Sequence, residues 1–260
     1  MYATDYFETM ILNTLRGTNA AAPASMFVGL YLSNPGETGM AGTEVTYSGY
    51  QRQAITFSNP APISGNIGIQ NDTEIKFAMT ATALQPITHI GISDSVSGGN
   101  MLLYGQYDEP LQIPANGSPV IRVGDAQWWC VGSFSNMFKT SVFNILRGTS
   151  LPGFQSFCAL YNGSPESGGI EISGTGYARM LITFSAPAQQ VSGQAQISNS
   201  IDIEFPKALT NWGTFTHMAV FNASSSGQPV AYVDNGIGAY NIVRGIGIIY
   251  SAGDLSVYVH

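Results

Sequence analysis

Residues 48–58 read SGYQRQAITFS, and residues 175–185 read TGYARMLITFS. Between Tyr50 and Ser58, six of nine positions are identical to their counterparts in the later stretch. Further matches follow in the same order at an offset of 127–131 residues: 15–18 with 146–149 (LRGT in both), 27–39 with 157–169, 69–77 with 197–205, 87–93 with 215–221, and 124–131 with 253–259. Ordered matches at a nearly constant offset indicate a tandem duplication. We therefore predict two homologous domains, residues 1–132 and residues 133–260.

Each copy is predicted to begin with a short helix. Asp5 and Glu8 have the spacing of a capping box, and Gly17 and Gly148 stand where a helix commonly stops. Apolar residues recur at helical spacing before each glycine. They are Phe7, Met10, Ile11 and Leu15 in the first copy, and Phe138, Val142, Ile145 and Leu146 in the second.

Strand-like segments follow each helix. Turn sequences such as SNPGETG, NPAPISGN and SVSGGN separate about seven short apolar segments in the first copy, which leaves no room for crossover helices. The sequence therefore predicts an all-β protein of two tandem antiparallel β-sandwich domains, each preceded by a short N-terminal helix. We expect each helix to pack across its sandwich or over the edge of it.

The composition excludes several functional classes. Only 10% of the residues are charged, the formal net charge is −7, and the nine basic residues are scattered. Nucleic-acid binding needs a positive surface, so we predict no nucleic-acid partner. The apolar runs are too short to span a bilayer, and the first residues carry no secretory pattern, so we predict a soluble protein made in the cytoplasm. A weakly charged polar surface also suits a subunit of an assembly.

A tyrosine and an arginine recur two residues apart in both copies, as Tyr50 and Arg52 and as Tyr177 and Arg179. Alternation along a strand places both side chains of a pair on one face. Acidic residues a few positions upstream are candidate partners for the guanidinium groups, and a structural role is favoured over ligand binding. These residues are Glu44 in the first copy and Glu171 in the second.

The histidines and cysteines do not form a recognisable site. His89 and His217 are repeat-equivalent, His260 ends the chain, and no metal-binding or catalytic spacing joins them. We expect His89 and His217 to lie in strands, hydrogen-bonded to backbone or tyrosine. Cys130 and Cys158 occupy positions that hold valine in the other copy, which favours two buried thiols over a disulfide. No cofactor or metal is predicted.

Trp128 and Trp129 stand where we align Ser256 and Val257 of the second copy. Adjacent strand residues face opposite sides, so one indole must point away from its own core. A subunit or inter-domain contact is the favoured use, and stacking on a sugar ring is the alternative. Carboxylates are sparse: Asp94, Asp108 and Glu109 are assigned to turns, and no acid–base pair is evident.

The ordered motifs of both copies resemble a family of small tailed-bacteriophage proteins, the tail-fibre or minor tail proteins. The second copy is the closer match, with GTGYARMLITFSAP, IDIEFPKALTNWGTFTHMAVFNASSSG and SAGDLSVYV in the expected order. The first copy keeps LYLSNPGETG, GTEVTYSGYQRQAITFS and ITHIGISDSVSGGNMLLYG but reads LQPITH where the second has NWGTFTH. The resemblance covers nearly the whole chain, implies a virion component and carries no catalytic residues.

Three functions are compatible with these observations. The first is a non-enzymatic structural component of a tailed-phage virion, in the tail, baseplate or fibre, which forms homo-oligomers and bridges neighbouring virion subunits. The second is a host-surface glycan-binding module or a capsid decoration protein, which requires an exposed aromatic patch from residues such as Trp128, Tyr47, Tyr50 or Trp212. The third is a glycan-degrading enzyme, which requires two carboxylates at catalytic separation. We favour the first and predict no enzymatic activity.

Overall fold

The computed structural model describes residues 1–130, 132–190, 193–234 and 238–259. No helix in these segments is long and apolar enough to cross a membrane. The first copy contains β1 (Tyr2–Ala3), α1 (Asp5–Thr14), β2 (Met26–Tyr31), β3 (Gln53–Ile55), β4 (Ala61–Ile63), β5 (Asn66–Gln70), β6 (Ile75–Lys76), β7 (Ile87–Ser93), β8 (Met101–Leu111), β9 (Val120–Ile121) and β10 (Gln127–Trp129).

The second copy contains one helix and twelve described strands, all of which follow the helix. They are α2 (Asn136–Ile145), β11 (Ser156–Asn162), β12 (Ile170–Glu171), β13 (Met180–Ile182), β14 (Ala188–Gln189), β15 (Ala195–Ser198), β16 (Ile203–Phe205), β17 (Gly213–Phe215), β18 (His217–Phe221), β19 (Pro229–Asp234), β20 (Tyr240–Ile242), β21 (Ile248–Tyr250) and β22 (Ser256–Val259). A 3-10 turn, Pro165–Ser167, lies between β11 and β12.

All pairings between these strands are antiparallel. The first copy forms a five-stranded sheet in the order β1-β8-β7-β2-β3, a three-stranded sheet β10-β5-β4 and a ribbon β6-β9. The second forms β12-β11-β18-β19 with β13 also on β11, a three-stranded sheet β14-β15-β22, and the ribbons β16-β21 and β17-β20. The predicted β-rich, antiparallel class with one helix in each copy is confirmed. The arrangement as two separate sandwiches, divided at 132/133, stays a prediction.

Two local predictions were wrong. The segment Ala61–Ile63 was assigned to a turn, but it pairs with β5 across a tight turn in which Ser64 and Gly65 both have positive φ. Asp108 and Glu109 were also assigned to a turn, yet they lie within the long strand β8. At β4 strand pairing overrides a local turn signal, because the ladder satisfies the backbone groups. Asp108 and Glu109 lie in an irregular part of β8, where the register with β7 shifts.

The N-cap of α1 lies one residue earlier than the predicted capping box. Thr4 is the N-cap of α1, with its Oγ1 accepting from the N–H of Phe7, so Asp5 is the first helical residue. The side chain of Glu8 is buried and faces the other copy instead of closing a box. The predicted stop is confirmed, because Gly17 has a φ of 90° and Thr18 N–H donates to the carbonyl of Asn13.

Each helix packs against sheets of both copies. Helix α1 contacts β8 of its own copy and β15 and β22 of the second, whereas α2 contacts β19 of its own copy and β5 of the first. Most of the buried apolar residues of both copies consequently form one continuous core. The helices therefore do more than cover their own sheets: they interlock the two copies.

Equivalent residues meet where the copies join. Ala20 and Leu151 exchange backbone hydrogen bonds of 2.8 and 2.9 Å. Arg16 Nε donates to the carbonyl of Phe184, and Arg147 Nε donates to the carbonyl of Phe57, each at 3.4 Å. Reciprocal contacts of this kind define a pseudo-two-fold axis through the chain. A Cβ on Gly153 would collide with the backbone at Gly17, so the close approach beside this axis requires glycine.

Candidate functional site

The predicted partners Tyr50, Arg52 and Glu44 form a compact cluster in the first copy. Arg52 Nε and Nη2 donate to the two carboxylate oxygens of Glu44, each at 2.9 Å. The Tyr50 hydroxyl donates to the same carboxylate at 2.9 Å and accepts from the backbone N–H of Leu30 in β2. This bidentate pair is partly buried, and charge-assisted bonds of this geometry are among the stronger ones in proteins.

The remaining donors of Arg52 hold the loop between β7 and β8. Nη1 donates to the carbonyls of Ser95 at 3.2 Å and Gly98 at 2.8 Å, and Nη2 also reaches the Tyr31 hydroxyl at 3.4 Å. All five N–H donors of the guanidinium therefore have acceptors within the chain. Burial and the neighbouring Glu44 raise the pKa of Tyr31 to about 12. The phenol is therefore neutral at physiological pH.

The second copy builds the same cluster from equivalent residues. Arg179 makes bonds of 3.0 and 2.8 Å to Glu171, whose carboxylate also accepts from the Tyr177 hydroxyl at 3.0 Å. Its Nη1 donates to the carbonyls of Ala223 and Ser226 in the loop between β18 and β19. All five Arg52 donors and four of the Arg179 donors thus bond to groups within the chain, which leaves little capacity to recognise an external anion or sugar.

The two tryptophans lie on opposite sides of β10, as predicted. Trp128 is fully buried, with its ring 5.6 Å from that of Phe7 in α1 and 5.1 Å from that of Phe143 in α2. Trp129 is half-buried on the other side. The predicted alignment was wrong by one residue, because the ladders with β5 and β15 pair Trp128 with Ile69 and Val257 with Ile197. The counterparts in the second copy are therefore Val257 and Tyr258.

Trp129 borders an open groove of about 480 Å³ on the first copy. Among the other groove residues are Gln106, Asp108, Asp125 and Gln127, whose side chains offer carboxylate and amide groups. An aromatic ring beside several hydrogen-bonding side chains is the arrangement that the predicted glycan-binding module requires.

The aromatic patch predicted for glycan binding is not formed by Trp128 or Trp212. Trp128 is 0% exposed, and Trp212 is 4% exposed with its indole N–H bonded to the carbonyl of Thr175. Tyr47 and Tyr50 are half-buried, and their hydroxyls are bonded within the chain. The buried area of these rings stabilises the interior of the fold, and they do not form an exposed aromatic patch.

The two described histidines have equivalent hydrogen-bond partners in the two copies, but a different partner from the one predicted. Nδ1 of His89 lies 2.8 Å from the Thr88 hydroxyl, and Nδ1 of His217 lies 2.8 Å from the Thr216 hydroxyl. Burial lowers the pKa of His89. His260 lies outside the described residues. In the segments that the structure describes, no three histidine, cysteine or acidic side chains converge as a metal site.

Both cysteines are buried thiols, as predicted, and they form no disulfide. Burial raises the pKa of Cys130 and that of Cys158 to about 12. Both therefore stay protonated at physiological pH, which makes them poor nucleophiles.

Sequence reasoning missed a pair of buried asparagines. Asn71 donates from Nδ2 to the carbonyls of Thr73 and Arg122, and its Oδ1 accepts from the N–H groups of Gly124 and Ala126. It thereby fixes the turn that precedes β10. The signal was present, because asparagine is identical in IQNDTEIKF and ISNSIDIEF. Asn199 makes the equivalent bonds to Ile201, Ser251 and Leu255.

Comparison with known families agrees with the duplication. A family model described as "Podophage GP4 fiber I protein gp80" matches residues 2–128 and again residues 133–256. The two matches cover almost all of the chain, one for each copy. No curated protein matches the chain.

Proposed function

Because the chain belongs to the Podophage GP4 fiber I protein gp80 family, we propose that it is a non-enzymatic structural component of the phage fibre whose two copies bridge neighbouring subunits. As a member of a phage fibre family it is a component of the virion, assembled in the host.

The interlocked helices are the observation that carries the bridging role. Because α1 packs on β15 and α2 packs on β5, the two copies cannot separate without breaking a shared core. A load applied to one copy therefore reaches the other through packed side chains rather than through a flexible linker. This connection suits a subunit that holds two neighbours at a fixed distance.

Cross-linking of purified virions tests the bridging role. Lys76 and Lys207 are exposed, one in each copy, so an amine-reactive cross-linker samples both. We expect each lysine to form links to a neighbouring subunit, and the identity of the linked proteins to place the chain in the fibre. Links from only one copy would contradict bridging, and links to capsid proteins alone would indicate a decoration protein.

The Trp129 groove favours glycan binding as a second candidate function. A half-buried indole is available for stacking, and Gln106, Asp108 and Gln127 offer donors and acceptors for sugar hydroxyls. Most guanidinium donors of the two clusters already bond to groups within the chain, so this groove is the better candidate site.

The glycan function predicts a difference between two equivalent aromatic residues. If the purified chain binds surface polysaccharide of a susceptible host, Trp129→Ala should weaken binding roughly tenfold, as for an aromatic residue at the centre of an interface. Tyr258→Ala, at the corresponding position of the second copy, is the matched control and should leave binding unchanged. Equal loss in both variants, or no binding by the natural chain, would exclude this groove as the site.

A further inference from the structure

Three adjacent strands of the first copy each turn one residue outward. These residues are Ala54 in β3, Lys76 in β6 and Val120 in β9. Lys76 and Val120 are direct partners in the β6–β9 ladder, and β3 contacts β6. We call this row of small side chains around a lysine the basic face.

The equivalent strands of the second copy present a row of different chemistry. Leu181 in β13, Glu204 in β16 and Ile249 in β21 point outward, and Glu204 pairs with Ile249. Leu181 is 51% exposed and Ile249 is 61% exposed, although both are large aliphatic residues. We call this row the acidic face.

The two faces share a backbone frame but have opposite properties. Lys76 is replaced by Glu204, while the small Ala54 is replaced by the larger Leu181. The flanking positions Glu74 and Asp202 are acidic in both copies, and Arg122 of the first copy corresponds to Ser251 of the second. The central charge is therefore positive on the basic face, from Lys76, and negative on the acidic face, from Glu204.

We propose that the acidic face of one molecule binds the basic face of a second molecule of this chain. Glu204 would then meet Lys76. The large side chains of Leu181 and Ile249 would cover the surface around the smaller side chains of Ala54 and Val120. Burial of exposed aliphatic surface supplies the affinity, and opposite charge selects the pairing. Two basic faces or two acidic faces would instead place like charges opposite each other.

This contact joins two different surfaces, and each molecule carries both of them. The same contact can therefore recur from one molecule to the next. A heterologous interface adds one subunit after another and produces a ring if the rotation closes or a filament if it does not. The pseudo-two-fold axis places the two faces at equivalent positions of a single packed unit. The inference rests on the proposed fibre function, because it identifies one of the bridged neighbours as another copy of the same chain.

Charge reversal of the purified full-length chain tests the pairing. Sedimentation velocity over a concentration series should show self-association of the natural chain, and Lys76→Glu and Glu204→Lys should each weaken it about fivefold or more. The double variant K76E/E204K should recover association, because the side chains at positions 76 and 204 are again opposite in charge. An equimolar mixture of the two single variants should associate more strongly than either alone.

The control keeps the charge change but moves it away from both faces. Glu109→Lys, at an exposed position of β8, should associate like the natural chain. Circular dichroism and thermal melting should show that all variants fold, since every substituted side chain is exposed. A natural chain that stays monomeric, or a double variant that stays as weak as the single variants, would overturn the interface. Virion cross-links to other proteins would still support the fibre function in either case.

Discussion

Trp128→Ala is expected to destabilise both copies at once, by about 4 kcal/mol, the usual cost of truncating a large buried aromatic residue. The indole is 0% exposed and lies between Phe7 of α1 and Phe143 of α2. Its loss leaves a cavity bordered by both helices, so neither copy can relax around it alone. Differential scanning calorimetry should show one unfolding transition, shifted downward by roughly 10 °C.

Two other substitutions test whether the lost volume of the buried ring causes this destabilisation. One keeps an aromatic ring at position 128, and the other removes the neighbouring indole. Trp128→Phe keeps a ring and removes an indole N–H that makes no hydrogen bond to the described residues, so the loss should be below about 2 kcal/mol. Trp129→Ala removes the neighbouring half-buried indole and should cost less than the core substitution. Two separate transitions in Trp128→Ala would contradict a core shared by the copies.

The repeat made the guanidinium clusters predictable. Tyr50, Arg52 and Glu44 recur together in the second copy, and a carboxylate near a strand arginine has an evident electrostatic use. The structure places all three in one hydrogen-bonded group. Repetition of a chemically related set is therefore more informative than any of its members alone.

The hydrophobic periodicity of the helices could not predict that they interlock the two copies. The apolar spacing of Phe7 and Ile11 shows that one face of α1 is buried, but it does not show which sheet covers that face. The chain passes from α1 to β2 through Ala20, whose bridge to Leu151 lies on the pseudo-two-fold axis. A contact between residues so far apart in sequence leaves no local signal.

The sequence did not predict the roles of polar residues whose hydrogen-bond partners are distant in the chain. Glu8 was assigned to a capping box because it lies three residues after Asp5. Its carboxylate instead accepts from the N–H of Ala195 in β15 of the second copy, at 3.0 Å. Asn71 was overlooked because a single matched asparagine has no periodicity, although its bonds fix a turn.

Glu8 should make the chain less stable as the pH rises. Burial raises the pKa of its carboxyl to about 8, and the nearby Glu37 and Asp5 act in the same direction, whereas bonds from Ala195 and Gln189 oppose the shift. An unfolded glutamate titrates near pH 4.5. Between these values the folded chain binds a proton that the unfolded chain has lost, so the free energy of unfolding decreases with increasing pH. This contribution is complete below about pH 4.5 and is lost as the pH approaches 8.

Glu8→Gln removes this titration while it keeps an oxygen that accepts from Ala195. The variant and the natural chain should unfold at similar urea concentrations at pH 4, where Glu8 is protonated in both states. At pH 8 the variant should be more stable by roughly 2 kcal/mol, which is conservative for a shift of this size at 1.36 kcal/mol per pKa unit. Glu74→Gln, at an exposed position, is the control and should show no comparable pH-dependent gain. Because Glu8 joins α1 to the second copy, an equal response of both variants would mean that this carboxyl does not titrate within the shared core.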